Sequence, residues 1–333
     1  MIALIAAAAW GALVVEDARG LRALFESAGR YSPSFSPAAI GETLRERVGV
    51  NLLAEQREWG LARKGARTLV FGAGAVGLIA PVSDARRARR AMTAWRLEAT
   101  NRAAAIAGRR LLLASGRKAK ALLAEMSRGK AAYALLRGPA SLWMQLMPPL
   151  QSATFALEAS AAGLIARGLV VPASQAALLA GAAPASCEGA PPGCLRAGIG
   201  PAGREVLAFA LRQAGRPPPA ENTSRFTARI DSFDLEQLSD QPSLPLAVLW
   251  SISYDAPAGQ GPALAGQLDL ASVAAALAEL TPLDAIRGSG AAGVYAAYLL
   301  YGSLLRHAGP LTISGKPAGD AAEVELRLPI SSR

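Results

Sequence analysis

Histidine, cysteine and aromatic residues are scarce in this 333-residue chain, and each shortage excludes a class of site. His307 is the single histidine, so a Ser/His/Asp triad or a histidine-rich metal centre would have to include it. It precedes Gly309 and Pro310 at the predicted end of a helix, where we expect it to interact with the last carbonyl groups. Hydrophobic residues make up 52% of the chain but aromatic residues only 5%, so small and aliphatic side chains must fill the core.

No apolar run reaches the ~20 residues that cross a bilayer as a helix. The longest runs from Ile2 to Val15 and is typical of the apolar part of a secretory signal, with small residues at 6–9. A basic segment before it is missing, since the first arginine is Arg19. We interpret residues 1–9 as the remnant of a signal peptide and expect a secreted, periplasmic or otherwise extracytoplasmic protein. The alternative is a buried first strand in a cytoplasmic protein.

Cys187 and Cys194 are the only cysteines, and they enclose a short segment rich in proline and glycine. We predict a disulfide between them, which would persist in an oxidising compartment. Their spacing is wider than that of a zinc knuckle, and a second ligand pair is absent from the sequence. We therefore expect no metal at these cysteines; two unrelated buried thiols are the alternative.

The formal net charge of +10 is concentrated in one region. Between Arg63 and Arg137 there are 17 basic residues and three acidic ones. Within it, four apolar residues recur at helical spacing on one stripe: Ala85, Ala88, Met92 and Trp95. Four arginines fall outside this stripe: Arg86, Arg87, Arg89 and Arg90. We expect a solvated helix face there; a surface for an anionic polymer or lipid is the alternative, and specific binding of nucleic acid is not expected.

Similar patterns recur along the chain and predict an α+β fold with largely antiparallel sheets. Three stretches each run from a strand into a helix that begins beside a serine, which could cap it: 77–88 at Ser83, 163–178 at Ser174 and 265–277 at Ser272. A further strand precedes each stretch and predicts antiparallel hairpins: 68–71 with 76–79, 142–146 with 155–157 and 164–165, and 246–254 with 264–270. Upstream of each hairpin lies a strand followed by a helix. The inferred repeat is strand, helix, hairpin, helix.

This pattern divides the chain into three α+β units and a tail. The predicted limits are 1–109, 110–186 and 194–280 for the units, 187–193 for a Pro/Gly loop, and 281–333 for a helix with a β-hairpin. In the tail, the strand at 311–314 is expected to pair with the one at 323–330.

Gly72, Gly74 and Gly77 have the spacing of a dinucleotide-binding fingerprint. That motif needs a helix beginning at the glycines and an acidic residue on a following strand. Pro81 follows Gly77 by four residues, which is too close for a helix that begins at the glycines, and Asp84 is expected to begin a new helix. We interpret the glycines as a hairpin turn and expect no cofactor, with a nicotinamide- or flavin-dependent oxidoreductase as the alternative.

Other patterns that suggest catalysis lack their companions. Two Ser-x-x-Lys matches resemble the penicillin-recognising motif, but neither a Ser-Asp-Asn element nor a Lys-Thr-Gly strand accompanies them; they are Ser115 to Lys118 and Ser127 to Lys130. Clustered carboxylates are expected on solvated surface: Asp231, Asp234 and Glu236, and Asp320, Glu323 and Glu325. Tyr295, Tyr298 and Tyr301 share one helical face and are expected to pack in a core.

The repeated stretches resemble those of a loose group of uncharacterised bacterial envelope proteins, some of them lipoproteins. Each repeat in that group begins with a strand and an Asp-x-x-x-Leu helix start, and the matching stretches here are 13–21, 77–91 and 163–180. The resemblance implies tandem α+β units in the envelope and no activity. This sequence lacks a complete signal and a lipid-attachment cysteine, so its anchoring stays open. We predict a binding or structural component rather than an enzyme, with another envelope protein or an anionic surface as its partner.

Overall fold

The computed structural model describes residues 10–53, 57–72, 74–128, 139–181, 187, 192–213, 215–230, 248–255, 261–278, 299 and 301–330. Within them the chain is α+β with mostly antiparallel strand pairing, which confirms the predicted fold class. Contacts divide it into two compact units. The first comprises residues 1–26, 35–147 and 152–160, and the second comprises residues 27–34, 148–151 and 161–333.

The first unit contains seven strands and four helices among its described residues. In chain order they are β1 (Trp10–Val15), α1 (Arg19–Gly29), α2 (Pro37–Val48), β2 (Arg67–Gly72), β3 (Ala75–Pro81), α3 (Ala85–Leu97), β4 (Arg102–Ala107), β5 (Arg110–Gly116), α4 (Ala119–Arg128), β6 (Ala140–Gln145) and β7 (Leu150–Ser160). Short 3-10 turns lie at Pro33–Phe35 and Arg57–Trp59. The strand order is β7-β6-β1-β2-β3-β5-β4. The antiparallel pairing of β4 with β5 crosses the unit limit that the sequence predicted at residue 109.

The strands of the first unit are covered on both faces, and alternate residues along each strand point to opposite faces. Leu111 and Leu113 of β5 face a core that includes Val48 at the end of α2 and Trp95 of α3. Leu112, on the opposite face, packs in a second core with residues of α4. This two-sided burial explains the continuous apolar run in β5.

The second unit also contains seven strands among its described residues. They are β8 (Gly163–Pro172), β9 (Gly193–Ile199), β10 (Arg225–Ile230), β11 (Val248–Tyr254), β12 (Leu264–Leu268), β13 (Leu311–Ala318) and β14 (Ala321–Pro329). The helices are α5 (Pro201–Gln213), α6 (Leu270–Ala278) and α7 (301–307). The strand order is β10-β11-β9-β12-β13-β14-β8, and only β9 and β11 pair in parallel within this set. The predicted C-terminal hairpin is confirmed as β13 and β14, with a tighter turn than expected.

Two of the predicted hairpins are confirmed and one is wrong. The strand pairs β2 with β3 and β6 with β7 are antiparallel neighbours, as expected. The third expected hairpin joined β11 to β12, but β9 lies between them and pairs with both. The chain continues from β9 into α5. Of the strands that follow, β11 pairs with one edge of β9 and β12 pairs with the other.

The predicted helix starts are partly wrong. No helix begins at Ser174, where residues 173–181 contain bends and an isolated bridge from Leu179 to Ile199. Helices α3 and α6 do begin near Ser83 and Ser272, but aspartates supply the caps. Asp84 accepts from the Arg87 backbone N–H, and Asp269 accepts from that of Ala271. A carboxylate serves better than a hydroxyl because it also opposes the positive end of the helix dipole. The proposed repeat stays a prediction.

Candidate anion-binding surface

Helix α3 is held at its first turn by the loop that contains Gly60. The backbone N–H groups of Ser83 and Asp84 donate to the Gly60 carbonyl at 2.9 and 3.0 Å. The Ser83 hydroxyl donates to the same carbonyl at 3.2 Å. The Arg87 backbone N–H and the nearby positive charges of Arg87 and Arg90 hold the pKa of the Asp84 carboxyl below its ordinary value. The start of the helix is therefore fixed, and its cap is charged at neutral pH.

The inner side of α3 fixes the direction in which its arginines point. Ala88 is fully buried and Trp95 is 4% exposed. The Trp95 ring meets Trp59 edge-on at 6.4 Å between centroids. The Arg102 guanidinium lies over the Trp95 ring, 4.9 Å from its centroid. Residues on the opposite side of this helix must face outward.

The outward side of α3 is basic and carries one large apolar residue. We call this surface the basic face of α3, and it consists of Arg86, Arg89, Arg90, Arg96 and Leu97. All five residues are exposed. With 3.6 residues per turn, Arg86 and Arg90 project in nearly the same direction as Leu97, which is 82% exposed, whereas Arg89 and Arg96 project about a quarter-turn away. No ion pair or side-chain hydrogen bond joins these four guanidinium groups to any other residue in the described ranges.

Arg87, the remaining arginine of the predicted cluster, has a different environment. Its Nε lies 3.7 Å from an Asp84 carboxylate oxygen. Arg87 lies on the predicted helix with the other three arginines, but we leave it out of the basic face because it lies beside Asp84. Sequence reasoning missed Leu97 and Arg96. The signal that could have found them was continuation of the helix beyond Trp95 at the spacing of Arg86, Arg90 and Leu97.

Gly74 lies in the turn between β2 and β3, and Gly77 allows close packing against α4. Gly72 pairs with Ala75 in the antiparallel register of β2 and β3, which confirms the hairpin interpretation. Gly74 has φ +81, in the left-handed region that favours glycine. A Cβ at Gly77 would lie 2.8 Å from the Met126 sulfur of α4, so its glycine allows the close approach of that helix. The strand-to-helix geometry that a dinucleotide fingerprint requires is not present there.

Cys187 and Cys194 form the predicted disulfide, with 5.8 Å between their Cα atoms. Cys194 is the second residue of β9 and is buried. The bond attaches residue 187 to β9, which lies between β11 and β12 in the second unit. A disulfide of this kind is typical of proteins from oxidising compartments.

The isolated residues that suggested catalysis have structural contacts. His307 ends α7, donates from Nδ1 to the Ser303 carbonyl at 2.7 Å, and stacks on Tyr31 at 4.0 Å between ring centroids. This contact agrees with the expected interaction at a helix end. The hydroxyls of Ser115 and Ser127 donate to the backbone carbonyls of Arg47 and Leu123.

Two of the clustered carboxylates that lie in the described ranges, Glu323 and Glu325, pair with basic side chains. Glu325 binds Arg327 and Arg167, and these bonds hold the pKa of its carboxyl below the ordinary value. Lys316 and Glu323 pair at 3.0 Å. Several predicted positions lie outside the described residues: Lys130, Asp231, Asp234, Glu236, Tyr295 and Tyr298.

No protein-family model, curated protein or solved structure matches the chain. Within the described ranges, no three His, Cys, Asp or Glu residues lie close enough together to hold a metal ion. None of the helices found there is both long and apolar enough to cross a bilayer. The basic face of α3 is therefore the surface whose chemistry points most directly to a ligand.

Proposed function

We propose that this chain is a non-catalytic, extracytoplasmic binding protein that attaches to an anionic bilayer surface through the basic face of α3. The observation that carries the proposal is the set of four exposed arginines without acidic partners in the described part of the chain. Unpaired guanidinium groups form charge-assisted hydrogen bonds with phosphate oxygens. The disulfide supports the extracytoplasmic part of the proposal.

Leu97 favours a lipid bilayer over a soluble anionic polymer. A polymer would be recognised by charge alone, whereas helices that lie in a membrane interface combine basic residues with buried apolar ones. Leu97 is 82% exposed on the same side of the helix as Arg86 and Arg90, so the same contact that brings phosphates to those guanidinium groups removes this side chain from water. Transfer of a leucine side chain out of water is worth about 1.5–3 kcal/mol.

The backbone next to α3 brings two more arginines close to its first turn. The Val82 backbone N–H donates to the Arg109 carbonyl at 2.8 Å, and Arg110 pairs with Pro81 in the sheet. Arg109 and Arg110 are both exposed. They enlarge the basic surface beyond the helix itself.

The test is co-sedimentation of the full chain with vesicles of phosphatidylglycerol and phosphatidylcholine. Each arginine near an anionic surface contributes about 1 kcal/mol, so R89Q/R90Q should weaken binding about 30-fold. The matched control is R30Q/R212Q, which changes the net charge equally at two exposed arginines of the second unit and should bind like the wild type.

Three results would overturn the proposal. They are equal binding to pure phosphatidylcholine, an R89Q/R90Q variant that binds like the wild type, and binding of soluble polyphosphate without binding of vesicles. The last result would assign the arginines to a polymer, which is the alternative that the sequence raised.

A further inference from the structure

The strands of the second unit carry a half-buried arginine whose charge no neighbouring side chain neutralises. Arg196 lies in the middle of β9, which pairs with β11 on one edge and with β12 on the other. Within the described ranges its side chain makes no ion pair and no hydrogen bond, and its Nε is buried. A cation removed from water in this way costs folding free energy unless an anion pairs with it.

The terminal nitrogens of Arg196 are the atoms that a ligand can reach. Only Nε of this side chain is both buried and without a partner in the described part of the protein. The two Nη atoms also lack a partner there, so they are open to solvent. Arg196 therefore offers donors to an anion although its inner nitrogen is covered.

A second arginine approaches the same position from the neighbouring strands. Ser251 of β11 lies directly opposite Arg196, so the two side chains point to the same face. Arg225 of β10 is exposed and donates from Nη2 to the Ser251 hydroxyl at 3.5 Å. This neutral hydroxyl is the only partner of the Arg225 guanidinium among the described residues. Two guanidinium groups thus lie on either side of one serine.

Two carboxylates on nearby strands pair with other arginines. Asp255, which follows the last residue of β11, pairs with Arg204 of α5 at 3.1 Å. Glu325 of β14 binds two arginines, and β12 and β13 separate its strand from β9. In the part of the chain that the structure describes, the positive charges of Arg196 and Arg225 are therefore not compensated.

The disulfide borders Arg196 on the side away from Ser251. Cys194 lies two residues before Arg196, on the same face of β9. The Sγ of its partner Cys187 lies 3.9 Å from the carbonyl oxygen of Ala265, the β12 residue directly opposite Arg196. The bond therefore holds residue 187 on the β12 side, and the remaining donors lie on the side of β11 and β10.

We propose that Arg196, Arg225 and Ser251 form a binding site for a phosphate group, either free or in a phosphate monoester. Their donors come from three adjacent strands, and a tetrahedral oxyanion has enough oxygens to accept from all of them. A carboxylate matches the site less well, because a single guanidinium satisfies both of its oxygens. The site lies wholly in the second unit, so it is separate from the basic face of α3.

The test is calorimetric titration of the full chain with inorganic phosphate, methyl phosphate and acetate at constant ionic strength. We expect one site that R89Q/R90Q retains, with acetate at least tenfold weaker than the better phosphate probe. Methyl phosphate binding as tightly as inorganic phosphate, or more tightly, assigns the site to a monoester, and weaker binding assigns it to the free anion. Equal affinity for acetate, or no binding of either phosphate at millimolar concentration, would overturn the proposal.

Substitutions assign the binding to the two arginines. R225Q and R196M should each weaken phosphate binding about ten- to hundredfold, because charge-assisted hydrogen bonds are lost. R212Q is the matched control at an exposed arginine of α5 and should bind like the wild type. Wild-type affinity in both R225Q and R196M, or an equal loss in R212Q, would contradict the assignment.

Thermal midpoints distinguish a ligand-binding role of Arg196 from a structural one. R196M removes the buried, unpaired Nε, so its midpoint without phosphate should equal or exceed that of the wild type. Phosphate should raise the midpoint of the wild type and of R212Q but not that of R196M, since a ligand stabilises only a protein that binds it. A lowered midpoint that phosphate still raises would show that Arg196 is structural and would overturn the proposal. If R196M folds poorly, R225Q tests the site at an exposed residue.

Discussion

Trp95 shows how one buried side chain both fixes α3 and leaves a polar atom unsatisfied. Its ring contacts Trp59 and the Arg102 guanidinium, yet its Nε1 is buried and has no hydrogen-bond partner in the described ranges. A buried donor without a partner costs about 1–3 kcal/mol. The packing of the ring therefore stabilises the unit, whereas its unpaired N–H makes no favourable contribution to the free energy of folding.

We expect W95A to lower the free energy of unfolding of the first unit by about 3–5 kcal/mol, because it leaves a large cavity. W95F should lose less than about 1.5 kcal/mol, since it keeps an aromatic ring and removes the unpaired N–H. Urea unfolding followed by circular dichroism measures both values. A W95F variant as unstable as W95A would show that the indole nitrogen has a partner in solution.

The lowered pKa of Glu325 makes the second unit sensitive to acid. Because the folded value lies below the ordinary value of ~4.3, the ion pairs stabilise the protein above that pH. The stabilisation is lost as the pH falls through the folded value.

E325Q should therefore reduce the free energy of unfolding by up to about 1 kcal/mol at neutral pH, and by almost nothing in acid below the folded pKa. Urea midpoints of the two proteins at both pH values test this expectation. E205Q, at an exposed glutamate of α5, is the control and should unfold like the wild type at each pH. A constant difference between E325Q and the wild type would contradict the linkage to ionisation.

At the scale of the elements, the absence of a side chain at Gly77 allows β3 and α4 to pack closely. A Cβ there would lie 2.8 Å from the Leu113 carbonyl oxygen and 2.8 Å from the Met126 sulfur. The carbonyl belongs to the neighbouring strand and cannot move freely. Overpacking of this kind costs about 1–3 kcal/mol.

G77A should lower the thermal midpoint of the first unit, whereas G108A should have a smaller effect. Unlike Gly77, Gly108 has a positive φ, +58, and a Cβ there would meet no atom within 4 Å. The comparison therefore separates steric overlap from backbone strain, and differential scanning calorimetry measures it. A smaller loss in G77A than in G108A would show that α4 can move away from the sheet.

The disulfide connects residue 187 to β9 across a sequence separation of seven. Closing so short a loop is worth about 2–3 kcal/mol in the chain-entropy description. C187S/C194S should lower the free energy of unfolding by that amount, and adding a reductant should destabilise the wild type but not the variant. Thermal shift with and without reductant tests this; an equal response of both proteins would contradict it.

The same elements show what the sequence could and could not predict. The hairpin of β2 and β3 was predictable because its two strands are adjacent in the chain and separated only by a glycine turn. The pairing of β9 with both β11 and β12 was not, since chain adjacency gives no information about a strand inserted between two later ones. Similarly, the arginines of α3 followed from helical periodicity. The cleft that Arg19 and Arg67 both line in the first unit did not, because it forms only where β1 pairs with β2.

At the scale of the whole molecule, the positive charge is distributed unevenly along the sequence, and part of it is exposed on α3. Of the 35 basic residues, 17 lie between Arg63 and Arg137, with three acidic residues among them. A field of this sign attracts anionic surfaces over about 10 Å at ~0.1 M salt, and over only ~3 Å at ~1 M. Charge and apolar contact therefore make separable contributions to binding.

Added salt should accordingly weaken the charged contribution to vesicle binding and leave the apolar contribution unchanged. Raising the salt from about 0.1 M to about 1 M should weaken binding of the wild type strongly, because the arginine contribution is screened. The binding that remains at high salt should be lost in L97S but not in R89Q/R90Q, since transfer of Leu97 out of water does not depend on charge. Leu97 is 82% exposed, so its replacement should leave the unfolding midpoint unchanged. Equal salt sensitivity of L97S and the wild type would show that Leu97 stays in water and that only the arginines contact the bilayer.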